Sequence, residues 1–163
     1  MSEIAIAGYV PGAIGRVAEL HAAYYAKAWN FGLYFEAKVA GELSKFLLRF
    51  DAARDGFWTA LHDGRVEGSI AIDAAHAASA GAHLRWFILS DALRGRGVGR
   101  RLIERALELC RERGYARVYL WTFAGLDAAR HRYEQAGFRL AEEIDGEQWG
   151  TRVREQRFVL ELA

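Results

Sequence analysis

Apolar residues recur along this chain in helical, alternating and unbroken patterns, and each pattern predicts a different kind of element. From Ala13 to Trp29 the positions Ile14, Val17, Ala18, Leu20 and the Tyr24-Tyr25 pair fall near helical spacing, and Val39, Leu43, Phe46 and Leu47 repeat that spacing between Phe35 and Phe50. Two helices are expected there. Ile4 to Tyr9 reads as a strand ended by Pro11 and Gly12. Phe57 to His62 and Arg65 to Asp73 flank Asp63-Gly64, residue types that suit the left-handed backbone of a two-residue hairpin turn. Beyond the small residues of His76 to Gly81, Ala82 to Leu89 predicts another strand. Gly97 to Arg113 predicts a helix with Val98, Leu102, Ile103, Ala106, Leu109 and Cys110 inward and its charged residues outward, stopped by Gly114.

Arg117 to Phe123 is apolar or aromatic on both faces, as in a central strand covered from both sides, and is expected to run parallel to the strand before the helix. A shorter helix over 126–136 closes at Gly137. Phe138 to Ile144 and Arg152 to Leu162 are then two strands joined by a polar turn around Asp145-Gly146. The order predicts an α/β chain with one mixed sheet and helices on both faces.

Length and charge narrow this picture. A chain of 163 residues can bury one full core, so residues 1–163 are expected to form one domain. The 22 basic and 21 acidic side chains nearly cancel, leaving no chain-wide field to attract a nucleic acid. The start lacks a signal-peptide pattern, and no apolar run could cross a bilayer. A soluble cytoplasmic protein with no nucleic-acid, membrane or metal partner is expected. The single cysteine, Cys110, excludes an internal disulfide and reads as a small core residue.

The candidate chemistry begins at Arg94-Gly95-Arg96-Gly97-Val98-Gly99 and Arg100, where a strand empties into a glycine-rich turn and then a helix. Backbone N–H groups at such a helix mouth lack partners and point one way, and the arginines add positive charge, so a phosphate-bearing ligand is expected. The glycine spacing lacks the last interval of a dinucleotide fingerprint. No acidic residue for a ribose ends the next strand, where Trp121, Thr122 and Phe123 stand, and no Gly-Lys-Ser/Thr marks a P-loop.

Arg94-x-x-Gly97-x-Gly99, with a strand before and a helix after, resembles the acyl-CoA pyrophosphate loop of the GNAT N-acetyltransferases. Asp127 to Phe138, with Tyr133 ahead of Gly137-Phe138, is similar to that family's second signature. Gly12-Ala13-Ile14-Gly15 with His21 and Tyr25, Leu120-Trp121-Thr122, and Gln148-Trp149-Gly150 resemble more narrowly the acetyltransferase domain fused to MarR-type regulators. No regulator domain is expected within these residues.

The resemblance implies the acyl-CoA N-acyltransferase fold: a mostly antiparallel sheet whose fourth and fifth strands run parallel and splay apart. It also implies acetyl-CoA as cofactor and transfer of the acetyl group to a primary amine, of a small molecule or of a peptide or protein, by direct attack in a ternary complex. Tyr133 would be the general acid toward the leaving thiolate. The amides of Gly95 to Arg100 would bind the pyrophosphate, and an amide of Phe87, Ile88 or Leu89, at a bulge in the fourth strand, would stabilise the developing oxyanion. His21, Tyr25, Trp29 and Trp86 are candidates to touch the acceptor. Leu126 stands where relatives often have an asparagine on the pantetheine arm, and no strand glutamate is present to act as base. A non-catalytic acyl-CoA sensor is the alternative, and a homodimer is compatible with either.

Overall fold

The computed structural model describes residues 3–162. Its elements run β1 (Ile4–Ala7), α1 (Ala13–Trp29), α2 (Leu33–Leu48), β2 (Gly56–His62), β3 (Arg65–Asp73), β4 (Ala82–Leu89), α3 (Val98–Glu112), β5 (Arg117–Phe123), α4 (Asp127–Gln135), β6 (Arg139–Gly146) and β7 (Val153–Glu161). The strands join in one sheet of order β1-β2-β3-β4-β5-β7-β6. Every neighbouring pair is antiparallel except β4 and β5, which run parallel as the crossover helix α3 requires.

Apolar patterning divides the core by face. Ile70, Ile72, Leu84 and Leu120 of the sheet pack with Leu102, Ile103 and Ala106 of α3 and Tyr133 of α4. On the other side Phe57, Ala71, Trp86 and Phe123 pack with Val17 of α1 and Val39, Leu43 and Phe46 of α2. Cys110 is buried with the first group, where desolvation pushes its thiol up to about 12. The hairpin forms as its residues dictate, with Asp63 at φ 51° and Gly64 at φ 74°.

Two boundaries differ from the sequence pattern. The first strand ends at Ala7 rather than Tyr9. The last turn does not fall at Asp145-Gly146: both stay in β6, paired with Arg154 and Val153, and the chain reverses over 147–152. An Asp145–Arg154 ion pair at 3.2 Å extends the ladder, while the Glu155 carboxylate accepts bonds from the Gln148 amide at 3.0 Å and its side chain at 2.7 Å.

The decisive local feature is a bulge in β4. Ser69 pairs with Ile88 and Ala71 with Arg85, so Ile70 alone faces both Trp86 and Phe87. Trp86 takes up the extra residue at φ 50°, a conformation costly for a bulky side chain, and the Ser69 hydroxyl donates to its carbonyl at 2.6 Å. Consecutive side chains therefore share a face. Arg85 reaches Glu42 of α2, Trp86 packs 5.4 Å from the Phe46 ring, and Phe87 turns to the opposite side beside Tyr133.

Candidate active site

Four features converge on the C-terminal ends of β4 and β5. The first is the gap between them: the parallel ladder has only the rungs Ala82–Val118 and His83–Tyr119, and beyond these the strands part. The bulge lies at Trp86–Phe87, one step before the span of Phe87, Ile88 and Leu89 expected from sequence. Tertiary pairing with β3 sets that step, because Ser69 anchors the Trp86 carbonyl.

The second feature is the loop before α3. A single 3-10 turn, Asp91–Leu93, ends with the Arg94 amide donating to the Asp91 carbonyl at 3.2 Å. Gly95 and Gly97 both adopt φ 72°, which swings the backbone round to the helix mouth. The amides of Gly95, Gly97, Val98, Gly99 and Arg100 find no acceptor among the described residues, and intrahelical bonding resumes with Arg101 to Gly97 at 3.2 Å. Gly99 has a different task. A Cβ there would sit 2.9 Å from Leu89 and 3.1 Å from the Arg132 guanidinium, so its lack of a side chain lets α3 lie close against β4 and α4. Arg94 and Arg100 pair with Asp91 and Glu104 at 2.6 and 2.9 Å, and Arg96 lies 3.4 Å from His62.

Beside this loop, third, a groove of about 490 Å³ runs between α3 and α4, lined by Arg100, Arg111, Arg132 and Gln135. Sequence patterning reads Arg111 as merely outward and solvated. The α3–α4 packing turns it and Arg132 toward a common trough.

The fourth feature is a cavity of about 140 Å³ at the splay, reached by side chains from both faces of the sheet. Tyr133 belongs to the core beneath α3 and α4, packed against Phe87, Phe138 and Phe158, yet it lines the same space as His21 and Tyr25 of α1. Only the open seam between β4 and β5 makes this possible. Burial drives the Tyr133 hydroxyl far above its usual range, and it has no hydrogen-bond partner among the described residues although it is not sealed from the cavity. Tyr25 is raised in the same direction, by burial first and then by Tyr133 and Tyr24.

Lys38, Glu42 and Arg85 bring charge to the cavity wall. Glu42 is bonded to Lys38 at 2.7 Å and to Arg85, Arg85 stacks 4.2 Å from the Trp86 ring, and Asp73, outside the lining but 3.5 Å from Arg85, is held by Arg49 at 2.6 Å. Although burial opposes ionisation of Glu42 and Asp73, these cations hold both carboxyls below the ordinary range. His83 stacks on Tyr119 with ring centres 4.5 Å apart, and desolvation, then Arg85, lowers it to about 3.

Of the residues singled out for an acceptor, His21, Tyr25 and Trp86 line this cavity. Trp29 does not. It packs edge-on to Phe123 at 4.9 Å and over Gly125, filling the corner where α1 ends. Lys38 and Glu42, which an ordinary amphipathic helix pattern does not mark, line it too, as do Thr122 and Gln148, which the sequence marks only through the narrower family resemblance and not as acceptor contacts. Among the described residues no cluster of three His, Cys, Asp or Glu side chains is arranged for a metal ion, and no helix is long and apolar enough to cross a membrane.

Residues 14–138, from α1 through the Gly137-Phe138 pair, match the model of the Acetyltransferase (GNAT) family. The chain belongs to that family, whose members use acetyl-CoA. The fold recurs in an acetyltransferase from Streptococcus agalactiae, with 22% identity, a TM-score of 0.76 and 98% of each chain covered. It recurs also in the yncA protein of Salmonella typhimurium, solved with its cofactor acetyl-CoA, at 14% identity and a TM-score of 0.75, covering 98% of this chain and 94% of that one. The ribosomal-protein-S18-alanine N-acetyltransferase of Escherichia coli is similar at 17% identity and a TM-score of 0.72, with 99% and 95% covered. No functionally curated protein matches the chain in sequence.

Proposed function

We propose that this GNAT acetyltransferase is an N-acetyltransferase, moving an acetyl group from acetyl-CoA to a primary amine by direct attack, with residues 1–163 acting as one domain in the cytoplasm. The observation that carries this reading is the seam between β4 and β5, which joins the unpaired amides of Gly95, Gly97, Val98, Gly99 and Arg100 to the unpartnered Tyr133 hydroxyl. The residues fit the donor. Amides at a helix mouth suit the pyrophosphate, and the arginines of the α3–α4 groove suit the nucleotide end. Bound acetyl-CoA supplies the activated acyl carbon.

The protein's own groups then divide the work. A backbone N–H along the unpaired edge of β4 at the Trp86–Phe87 bulge, or at Ile88 or Leu89 beyond it, is preset to donate to the carbonyl oxygen as negative charge develops there. Tyr133 stays protonated because burial disfavours its phenolate, and it delivers that proton to the departing sulfur, whose thiol reference pKa is about 8.5. His21, Tyr25 and Trp86 border the space left for the acceptor.

Purified protein with acetyl-CoA and a panel of amines, amino acids and peptides should release free thiol. In the same assay Tyr133→Phe should lower kcat by about 10²-fold or more, with CoA affinity by calorimetry nearly unchanged. An equal kcat in the variant would remove Tyr133 as the acid, and no thiol release across the panel would overturn the activity. A second reading, an acyl-CoA sensor akin to the domains fused to MarR-type regulators, is favoured by one observation: the carboxylate of Glu42, in the cavity, is committed to ion pairs. Tight CoA binding without transfer to any amine would support it.

A further inference from the structure

We propose that His21 is the proton acceptor of the transfer, taking the proton of the attacking amine on its Nε2; this rests on the acetyltransferase reading above. The backbone of α1 fixes the tautomer. The Val17 carbonyl, one turn back, lies 2.8 Å from Nδ1 and can only accept, so Nδ1 carries the hydrogen and Nε2 keeps its lone pair. Nε2 meets no donor among the described residues, and it is not closed off: Ser90 Oγ is the sole unpartnered side-chain polar atom among them that is fully shut in. The ring lines the cavity, so the lone pair opens there.

Rival bases are occupied or misplaced. Both oxygens of Glu42 are bonded, one to Lys38 and one to Arg85. Asp73 is held by Arg49 at 2.6 Å and faces Arg85 at 3.5 Å. His83 stacks on Tyr119 at the last closed rung of the β4–β5 ladder, beside the same charged pair. The His21 ring, by contrast, stacks 6.4 Å from Tyr25, whose hydroxyl lies close enough to Tyr133 for Tyr133 to disfavour its ionisation.

Its strength as a base sets the order of events. Burial lowers His21 to about 4, so the ring is neutral at physiological pH but too weak to strip a free alkylammonium of pKa about 10. The amine therefore enters neutral. As its nitrogen bonds to the thioester carbon it gains positive charge, its N–H becomes far more acidic, and the proton passes to Nε2. The carbon–sulfur bond breaks with its electron pair on sulfur, and Tyr133 supplies the proton that makes the thiol. The His21 imidazolium then gives up its proton and the Tyr133 phenolate takes one up, which restores both groups for the next turnover.

The test uses an alkylamine that the wild type acetylates. His21→Asn retains a donor for the Val17 carbonyl and loses the lone pair, whereas His21→Gln sets an amide oxygen near the Nε2 position that accepts a hydrogen bond but not a proton. Both should lower kcat by about 10²-fold while CoA affinity by calorimetry stays within about twofold. Activity within about threefold of wild type in either variant would overturn the proposal, a recovered glutamine variant reducing His21 to positioning.

A measurement on the wild type covers variants that fail to fold. Around His21 the titratable or charged groups are Tyr25 on α1, Lys38 and Glu42 on α2, His83 and Arg85 on β4, and Tyr133 on α4. Tyr25 and Tyr133 are raised and Glu42 and His83 lowered, all away from neutral pH, so the acidic limb of kcat/KM should move with the pKa of whichever amine is used. A limb fixed near pH ~7 for every amine would overturn the assignment. Absence of turnover by the wild type with every amine would instead remove the acetyltransferase reading, and this proposal with it.

Discussion

The loop before α3 and the cavity at the splay serve the same proposed reaction but are built in opposite ways. The loop is local: seven consecutive residues, two of them glycines at φ 72°, set its shape, and its unpaired amides follow from where a helix begins. The cavity is assembled at long range. Its wall takes residues from His21 on α1 to Trp149 after β6, and its existence depends on a bulge held by Ser69 and on a ladder that stops at His83–Tyr119. A locally built site is perturbed locally, whereas a site built from five helices and strands and the loop after β6 couples chemistry to the stability of the sheet.

Acid should expose that coupling most strongly. The folded state holds His21 neutral, with its pKa lowered from 6.5 to about 4, and His83 lowered to about 3. Both take protons more readily when unfolded, so the stability from keeping them buried is complete above 6.5 and declines as pH falls toward 4. Melting followed by circular dichroism should show a loss on the order of a few kcal/mol over that interval. His21→Asn should flatten the profile; an unaltered profile would break the link between cavity and stability.

Gly97→Val tests the local side of the comparison. A branched side chain at φ 72° costs roughly 1–2 kcal/mol in strain, a fall of only a few degrees in Tm, and relief of that strain moves the amides. CoA affinity by calorimetry should drop about tenfold or more, and a variant that binds CoA as well as wild type would show that the loop is not the anchor. Ser69→Ala is the mildest change. Loss of its bond to the Trp86 carbonyl should cost about 1 kcal/mol, and by loosening the bulge should lower kcat several-fold with CoA affinity kept. An unchanged kcat would separate the bulge from catalysis.

The same contrast explains what could be read ahead of the structure. β3, β4 and β5 fall where their apolar patterns put them, because each largely apolar run is bounded by turn residues. The final turn lies beyond Asp145-Gly146, although that pair carries turn chemistry, because pairing with Arg154 and Val153 extends the ladder past it. His21 and Tyr25 could be nominated from α1, but Trp29, of the same aromatic kind four residues on, ends up as packing. Lys38 and Glu42 carry no signal, as their pattern is that of any half-exposed helix.

Short-range chemistry in the chain was sufficient for the strands, the helices, the glycine turn and the family that uses them, because hydrophobic period and left-handed glycines act over a few residues. The splay, the place of the bulge and the meeting of His21 with Tyr133 through an open seam were decided by packing. These depend on which residue of β3 faces which of β4, and on how two helix pairs settle on opposite faces of one sheet, relations that arise only when distant segments share a core.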